Sequence, residues 1–331
     1  EFLPWHAQGR DRVGAALAAG RLPHGLLVQG AAGIGKEQFS SALAAALVCT
    51  RRGERFEACR ECDDCRLSLA GTHPDVHWVR RLWDPDKKKL RNTIGVDQIR
   101  EVCERLAMTS MRRGYRVGIV TPADLMTAQA QNSLLKTLEE PAPRTILVLV
   151  AARPASLLAT LRSRCQRVEI ARPDPGLALA WLGASLGRDA APRLLTLAGG
   201  APLKALALAP HFEELERQMA GLLEAYLGGR IEVTRAAADM QGEGLPARLD
   251  WVEAWLGAAL RRRTGAGDEN ALTFPGGALL QRPPAELNIT AAFQVLDRLR
   301  EARRLLEGPV APQLVVESLL LELRSALRPR R

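Results

Sequence analysis

Over the first ~170 residues, short continuous apolar runs alternate with stretches whose apolar residues recur every three or four positions. Runs of that length with no polar alternation fit strands covered on both faces, as in a parallel sheet. The candidate strands are Gly25–Gln29, Val76–Val79, Arg116–Val120, Thr145–Val150 and Val168–Ile170. Between them lie helical patterns. In Gly95–Ala107, Val96, Ile99, Val102, Cys103 and Leu106 fall on one face of a helix. The rhythm predicts an α/β domain.

After Arg172-Pro173-Asp174-Pro175 the strand signal stops and helical periodicity takes over. Three domains are expected: residues 1–170, with an inserted module near 49–65; a small helical unit over 171–209, broken by Gly199-Gly200-Ala201-Pro202; and a helical domain over 210–331. Within the last, Thr264–Glu286 carries the Gly and Pro of a loop. The final helix, Gln313–Leu327, has more apolar positions than a narrow stripe needs, so it is expected to be deeply buried or shared with another subunit. The fold class is therefore α/β followed by all-α.

Composition adds two points. Aromatic residues are 4% against 47% hydrophobic overall, so the cores are built from Leu, Ala, Val and Ile, which favours helices. The net charge of +9 calls for an acidic partner, nucleic acid or an acidic protein face. Basic clusters lie at Arg80–Arg81, Lys87–Lys89, Arg261–Arg263 and Arg328–Arg331. No apolar run approaches the ~20 residues of a membrane span. The opening residues lack the basic and long apolar segments of a secretory signal. A cytoplasmic chain, trimmed at its start, is expected.

Gly30-Ala31-Ala32-Gly33-Ile34-Gly35-Lys36-Glu37 follows a candidate strand and opens a candidate helix, the context of a Walker A phosphate loop. Gly30, Gly33 and Gly35 would let backbone N–H groups turn around a phosphate, and Lys36 would reach the outer phosphates. The next position needs a hydroxyl for Mg²⁺, but holds Glu37. The strand Val117–Val120 should end in an acidic pair and ends in Thr121-Pro122, with Asp124 poorly placed to substitute. Thr145–Val150 runs into Ala151-Ala152-Arg153, where a polar γ-phosphate sensor is expected. With three positions of the machinery missing, the loop is expected to be idle and ATP not to be hydrolysed.

Cys49, Cys59, Cys62 and Cys65 form C-x9-C-x2-C-x2-C, the pattern of a closed, structural Cys₄ zinc site. Without a secretion signal, disulfides are disfavoured. His73 and His77 are expected to be ordinary surface or core histidines, and Cys103 and Cys165 buried small residues.

Asn132-Ser133-Leu134-Leu135-Lys136-Thr137-Leu138-Glu139-Glu140-Pro141 resembles the N-x-L-L-K-x-L-E-E-P signature of clamp-loader ATPase-like subunits, and Ser163-Arg164-Cys165 resembles their S-R-C motif. A zinc module after the phosphate-loop helix strengthens the likeness, which covers the whole chain. The resemblance implies a AAA+ P-loop-type sheet domain with a zinc module, a helical lid over 171–209 and a helical collar over 210–331. Two subunit types share these features. The motor type needs the missing Walker residues and a sensor-2 arginine, where Leu203 and Lys204 stand. The losses therefore resemble the delta-prime type of the bacterial DNA polymerase III clamp loader.

That resemblance implies a role for Arg164 as an arginine finger acting in trans on a neighbouring motor's ATP. It also implies gamma/tau and delta subunits as ring partners, a weak contact with the sliding clamp, and primed DNA reached through the complex. Lys136 is a weak candidate for DNA or interface contact.

Two rival readings make different demands. A self-sufficient motor ATPase would use Glu37 as a metal ligand. A zinc-dependent nucleic-acid module would use Arg51, Arg52, Arg55, Arg60 and Arg66, but Glu54, Glu57, Glu61, Asp63 and Asp64 are interleaved with them, a poor phosphate-binding surface.

Overall fold

The computed structural model describes residues 1–112, 114–187, 190–242, 244–264, 288–306 and 310–327. The chain divides into two compact units, Glu1–Leu177 and Ala178–Arg331. The first is α/β and the second all-α, as the periodicity predicts.

The first unit opens with α1 (Ala7–Ala18), β1 (Gly25–Gln29) and α2 (Lys36–Val48), followed by α3 (Asp63–Leu69) and β2 (Val76–Val79). A two-stranded hairpin, β3 (Trp83–Asp84) and β4 (Lys89–Leu90), precedes α4 (Val96–Ala107). The unit continues through β5 (Arg116–Val120), α5 (Ala128–Glu139), β6 (Thr145–Ala151), α6 (Ala159–Ser163) and β7 (Gln166–Glu169). Five strands form one sheet in the order β2-β5-β6-β1-β7, every pair parallel. The central strands β5 and β6 are buried at every residue, which accounts for their unbroken apolar runs.

Helix α4 buries Ile99, Val102 and Leu106, the stripe read from its sequence. It packs so tightly on β5 that a Cβ at Gly118 would sit 2.8 Å from Leu106 Cδ1. The last strand differs from expectation: it is Gln166–Glu169, not Val168–Ile170. At the sheet edge only Val168 of the strand is buried, so polar Gln166 and Arg167 take strand positions that an apolar-run criterion misses. Ile170 contributes only its N–H, bonded to Gln29 O at 2.8 Å.

The second unit comprises α7 (Pro175–Leu186), which begins just before it, then α8 (Ala190–Leu197), α9 (Pro202–Leu208), α10 (Phe212–Leu227), α11 (Val233–Asp239), α12 (Leu245–Thr264), α13 (Ile289–Leu305) and α14 (Pro312–Leu327). One apolar cluster runs through residues of α7 to α14. Tyr226 is buried within it and donates its hydroxyl to Leu320 O at 3.0 Å. Helix α14 buries Val315, Val316, Leu319, Leu320 and Leu323 but leaves Leu314 and Leu321 exposed. The loop expected over Thr264–Glu286 lies outside the described residues, save Thr264 itself, and so does the Arg328–Arg331 cluster. Among the described residues no helix is long and apolar enough to cross a membrane.

Candidate functional site

The adjacency of β5, β6 and β1 brings the loops at their carboxyl ends together, the edge where sheets of this type place ligands. These loops carry the phosphate-loop motif, Thr121 and Ala151-Ala152-Arg153, the three positions singled out in the sequence.

The loop after β1 has the glycine-dependent backbone that its sequence demands. Gly30, Gly33 and Gly35 have φ of +148°, +75° and +91°, which side chains rarely adopt. Gly35 caps α2 and is closely packed: a Cβ there would lie 2.6 Å from Leu3 Cδ1 and 3.0 Å from His6 Nε2. The segment before α1 thus sits against the loop, and Trp5 Nε1 donates to Ile34 O at 2.8 Å. Lys36 is folded onto its own loop, its ammonium donating to Ala31 O at 2.6 Å. Burial pulls the Lys36 pKa down, opposed by the charges of Asp124 and Glu37.

Glu37 and Thr121 meet directly: the Thr121 hydroxyl donates to Glu37 Oε1 at 2.8 Å. The other carboxylate oxygen lies 3.7 Å from the Arg80 guanidinium, which in turn stacks over Trp78 at 4.0 Å. Asp124 is nearly buried, accepts from Ala152 N–H at 3.4 Å and pairs with Arg153 Nε at 3.5 Å. Asp124, in the turn that follows β5, and the sensor-position arginine therefore engage each other. Neither partnership was read from the sequence. Complementary side chains just past the carboxyl ends of the central strands, once the strand order is known, are the signal that reveals them.

The four cysteines converge from three places. Cys49 caps the end of α2, Cys62 caps the start of α3, Cys65 lies in its first turn, and Cys59 sits in the loop between. Arg60 takes φ +64°, which folds Cys59 and Cys62 toward each other. All four Sγ atoms lie within 4.8 Å of one another, and Cys49–Cys62 and Cys59–Cys65 are each 3.9 Å apart. Zinc–thiolate bonds of about 2.3 Å in a tetrahedron require sulfur–sulfur edges of about 3.8 Å, so the residues fit the ion. Backbone N–H groups of Cys59 and Cys62 point at sulfurs, at 3.3 and 3.4 Å, as they do when the acceptor is a thiolate.

This module is fastened to the sheet domain. Phe56 is buried against Gly14 of α1, where a Cβ would lie 2.8 Å from Phe56 Cβ. Asp64, beside Cys65, is buried and accepts from Arg112 Nε at 2.7 Å, with His73 Nε2 at 3.4 Å. His73 is thus a core residue, and burial lowers its pKa. Three of the module's five arginines are paired with acids: Arg51 with Glu61, Arg60 with Glu1 and Arg66 with Asp63. That pairing weakens any phosphate-binding role for this face.

Arg164 ends α6 at the surface. Its guanidinium pairs with Glu139 Oε1 at 2.5 Å and donates to Thr160 O at 2.9 Å. The signature helix α5 and the S-R-C motif thereby touch, although 25 residues separate Glu139 from Arg164. Leu134 and Leu138 face the core and Lys136 does not. Cys165 is buried, its thiol pushed up to about 11 by burial, whereas Cys103 is only half-buried. In the second unit Lys204 pairs with Asp250 at 2.6 Å, which also holds Arg303.

Comparison with known proteins gives consistent matches. The family model described as "DNA polymerase III, delta subunit" matches residues 6–174. The chain is 34% identical to the DNA polymerase III subunit delta-prime of Escherichia coli, covering 99% of this chain and 97% of that one. Against the Pseudomonas aeruginosa delta-prime subunit, identity is 37% over 79% of this chain and 78% of that one. The gamma/tau subunit of Mycobacterium bovis is 28% identical, covering 97% of this chain but 58% of its own. Among solved structures, a gamma subunit-related protein of DNA polymerase III from Thermotoga maritima aligns over 96% of this chain and all of its own, with 18% identity and a TM-score of 0.46.

Proposed function

The chain belongs to the DNA polymerase III delta-prime subunit family, and we propose that it is a non-hydrolysing subunit of a replicative clamp loader. One observation carries this reading: the Glu37–Thr121 hydrogen bond occupies the two positions that hold Mg²⁺ in a working site, with the hydroxyl and the acid exchanged. Lys36 bonded to its own loop and Asp124 bonded to Arg153 support it. The side chains of Lys36, Glu37 and Asp124, which would face phosphate or metal, each already have a protein partner.

The chain's contribution to catalysis would be Arg164, inserted in trans against the ATP of a neighbouring gamma/tau-type motor. A guanidinium offers fixed donors to the charge that spreads over the transferring phosphoryl group, and such fingers change kcat by ~10³–10⁵ in GTPases. Arg164 is exposed enough for this task, and its hold on Glu139 is a surface ion pair worth about 1 kcal/mol or less. Exchanging that pair for a triphosphate costs little.

Cys49, Cys59, Cys62 and Cys65 would hold zinc as a structural ion that fixes α2 to α3. Residues 171–209 would act as the lid and 210–331 as the collar. The exposed Leu314 and Leu321, seven residues apart on one face of α14, support a collar that meets other subunits. Partners would be the motor and delta subunits, the sliding clamp weakly and primed DNA, all in the cytoplasm.

The test is reconstitution. Arg164→Ala should cut the DNA- and clamp-stimulated ATPase of the assembled loader, while the chain alone shows no turnover. Unchanged ATPase in the mutant complex removes the trans-acting role. Turnover by the purified chain that dies in Lys36→Ala removes the non-hydrolysing one.

A further inference from the structure

Between β2 and α4 the chain makes an excursion that the sheet does not require. It leaves the sheet at Val79 and re-enters the core at Ile94, which is fully buried and bonded through its N–H to Leu125 O at 2.9 Å. The base is pinned again where Gln98 Nε2 donates to Arg80 O at 2.7 Å. Between these anchors stands the β3–β4 hairpin.

Its composition is unusual for a solvated loop. Residues 80–91 hold six basic and two acidic side chains, a net charge of +4. Trp83 and Leu90 are cross-strand partners and so lie on one face, and both are exposed, at 59% and 43%. Leu82 beside them is 46% exposed. Lys87, Lys88 and Lys89 form the turn and its exit, all in solvent. A short hairpin gains nothing from holding Trp and Leu in water, so the face is built to be covered. The positive charge beside it selects a polyanion as the cover.

We propose that this hairpin binds single-stranded nucleic acid, with a base stacked on Trp83 and the adjoining phosphates on Lys87–Lys89. The pairing of an open indole with a basic track is the arrangement that takes up unstacked bases with little regard for sequence. A duplex exposes phosphates but no free base face, so it satisfies the lysines and not the tryptophan. Leu90 supports the rim of the indole as its cross-strand neighbour. The inference rests on this surface alone and does not depend on the loader role.

The test uses the full chain and a fluorescently labelled oligo-dT of roughly 15 nucleotides, a length that spans one such stacking site, followed by anisotropy over a range of salt. Trp83→Ala should weaken binding about tenfold, and Trp83→Phe should recover most of it. Lys87→Ala, Lys88→Ala and Lys89→Ala together should lower the slope of log K against log salt by about 2, the loss of three single-strand phosphate contacts. Duplex of the same length should bind more weakly and be indifferent to Trp83. Because the hairpin lies outside the five-stranded sheet, unfolding midpoints should not move. Parent-like affinity and salt slope in these variants overturns the proposal and leaves an acidic protein face as the occupant. Absence of binding by the parent chain at low salt overturns it equally.

Discussion

The Thr121 hydroxyl donates to the Glu37 carboxylate across 2.8 Å, joining the strand-end loop to the first turn of α2. In a metal-binding phosphate loop the same two positions carry the hydroxyl on the helix and the acid on the strand. Here the pair is chemically inverted, and its two members hydrogen-bond to each other directly.

Restoring only the strand acid should therefore harm the protein. Thr121→Asp sets two carboxylates against each other, raising the pKa of the pair. A raised folded-state carboxylate pKa makes stability fall as pH rises, so the loss should be present at neutral pH and relieved below about pH 4. Because Glu37 is half-exposed, a cost of about 1 kcal/mol is expected. Adding Glu37→Thr should remove it, as measured by urea unfolding at two pH values.

The Arg164–Glu139 pair gives a different expectation. Glu139→Gln releases the guanidinium while leaving its bond to Thr160 O. Stability should change by less than about 0.5 kcal/mol, as for exposed ion pairs. If Arg164 works in trans, stimulated ATPase of the reconstituted loader should be kept or raised. A fall to the level of Arg164→Ala would make the Glu139 contact part of the working geometry.

The cysteine cluster should bind one zinc ion per chain, detected by atomic absorption after dialysis. Cys62→Ser should lose the ion and lower the unfolding midpoint, because the folding free energy that the ion supplies goes with it. Chelation should reproduce the shift in the parent chain. The Asp64–Arg112 contact beside Cys65 remains available in both cases, so the sheet domain should stay folded.

His6 makes an acid-sensitive joint at the phosphate loop. Its ring packs edge-on against Phe39 with centroids 5.4 Å apart, and it is fully buried. Burial holds its pKa down to about 4, against a bond to Ile34 O that raises it and the N-terminal charge that lowers it further. The unfolded chain takes up a proton near pH 6.5 that the folded chain refuses. The stability contributed is complete above that pH and is lost as pH falls toward 4. His6→Gln should flatten this limb, leaving the part due to His73 and His77, whose pKa values burial also lowers.

Much of the site was legible because its signals are local. The phosphate-loop glycines, the cysteine spacing and the buried parallel strands each depend on neighbours within a few residues, where residue type restricts backbone geometry directly. The start of strand β7 escaped because an edge position is defined by what pairs with it. The β3–β4 hairpin escaped because its two-residue strands have no periodicity to read.

From sequence alone came the α/β then all-α order, the phosphate loop lacking its hydroxyl and the four-cysteine knot, since backbone preference and short spacing are written in consecutive residues. Only tertiary structure decided the partners: Glu37 with Thr121, 84 residues apart, Asp124 with Arg153, and Glu139 with Arg164. Which charges neutralise each other depends on strand order and on how helices lie across the sheet. Those are properties of the packed chain, and no window of neighbouring residues contains them.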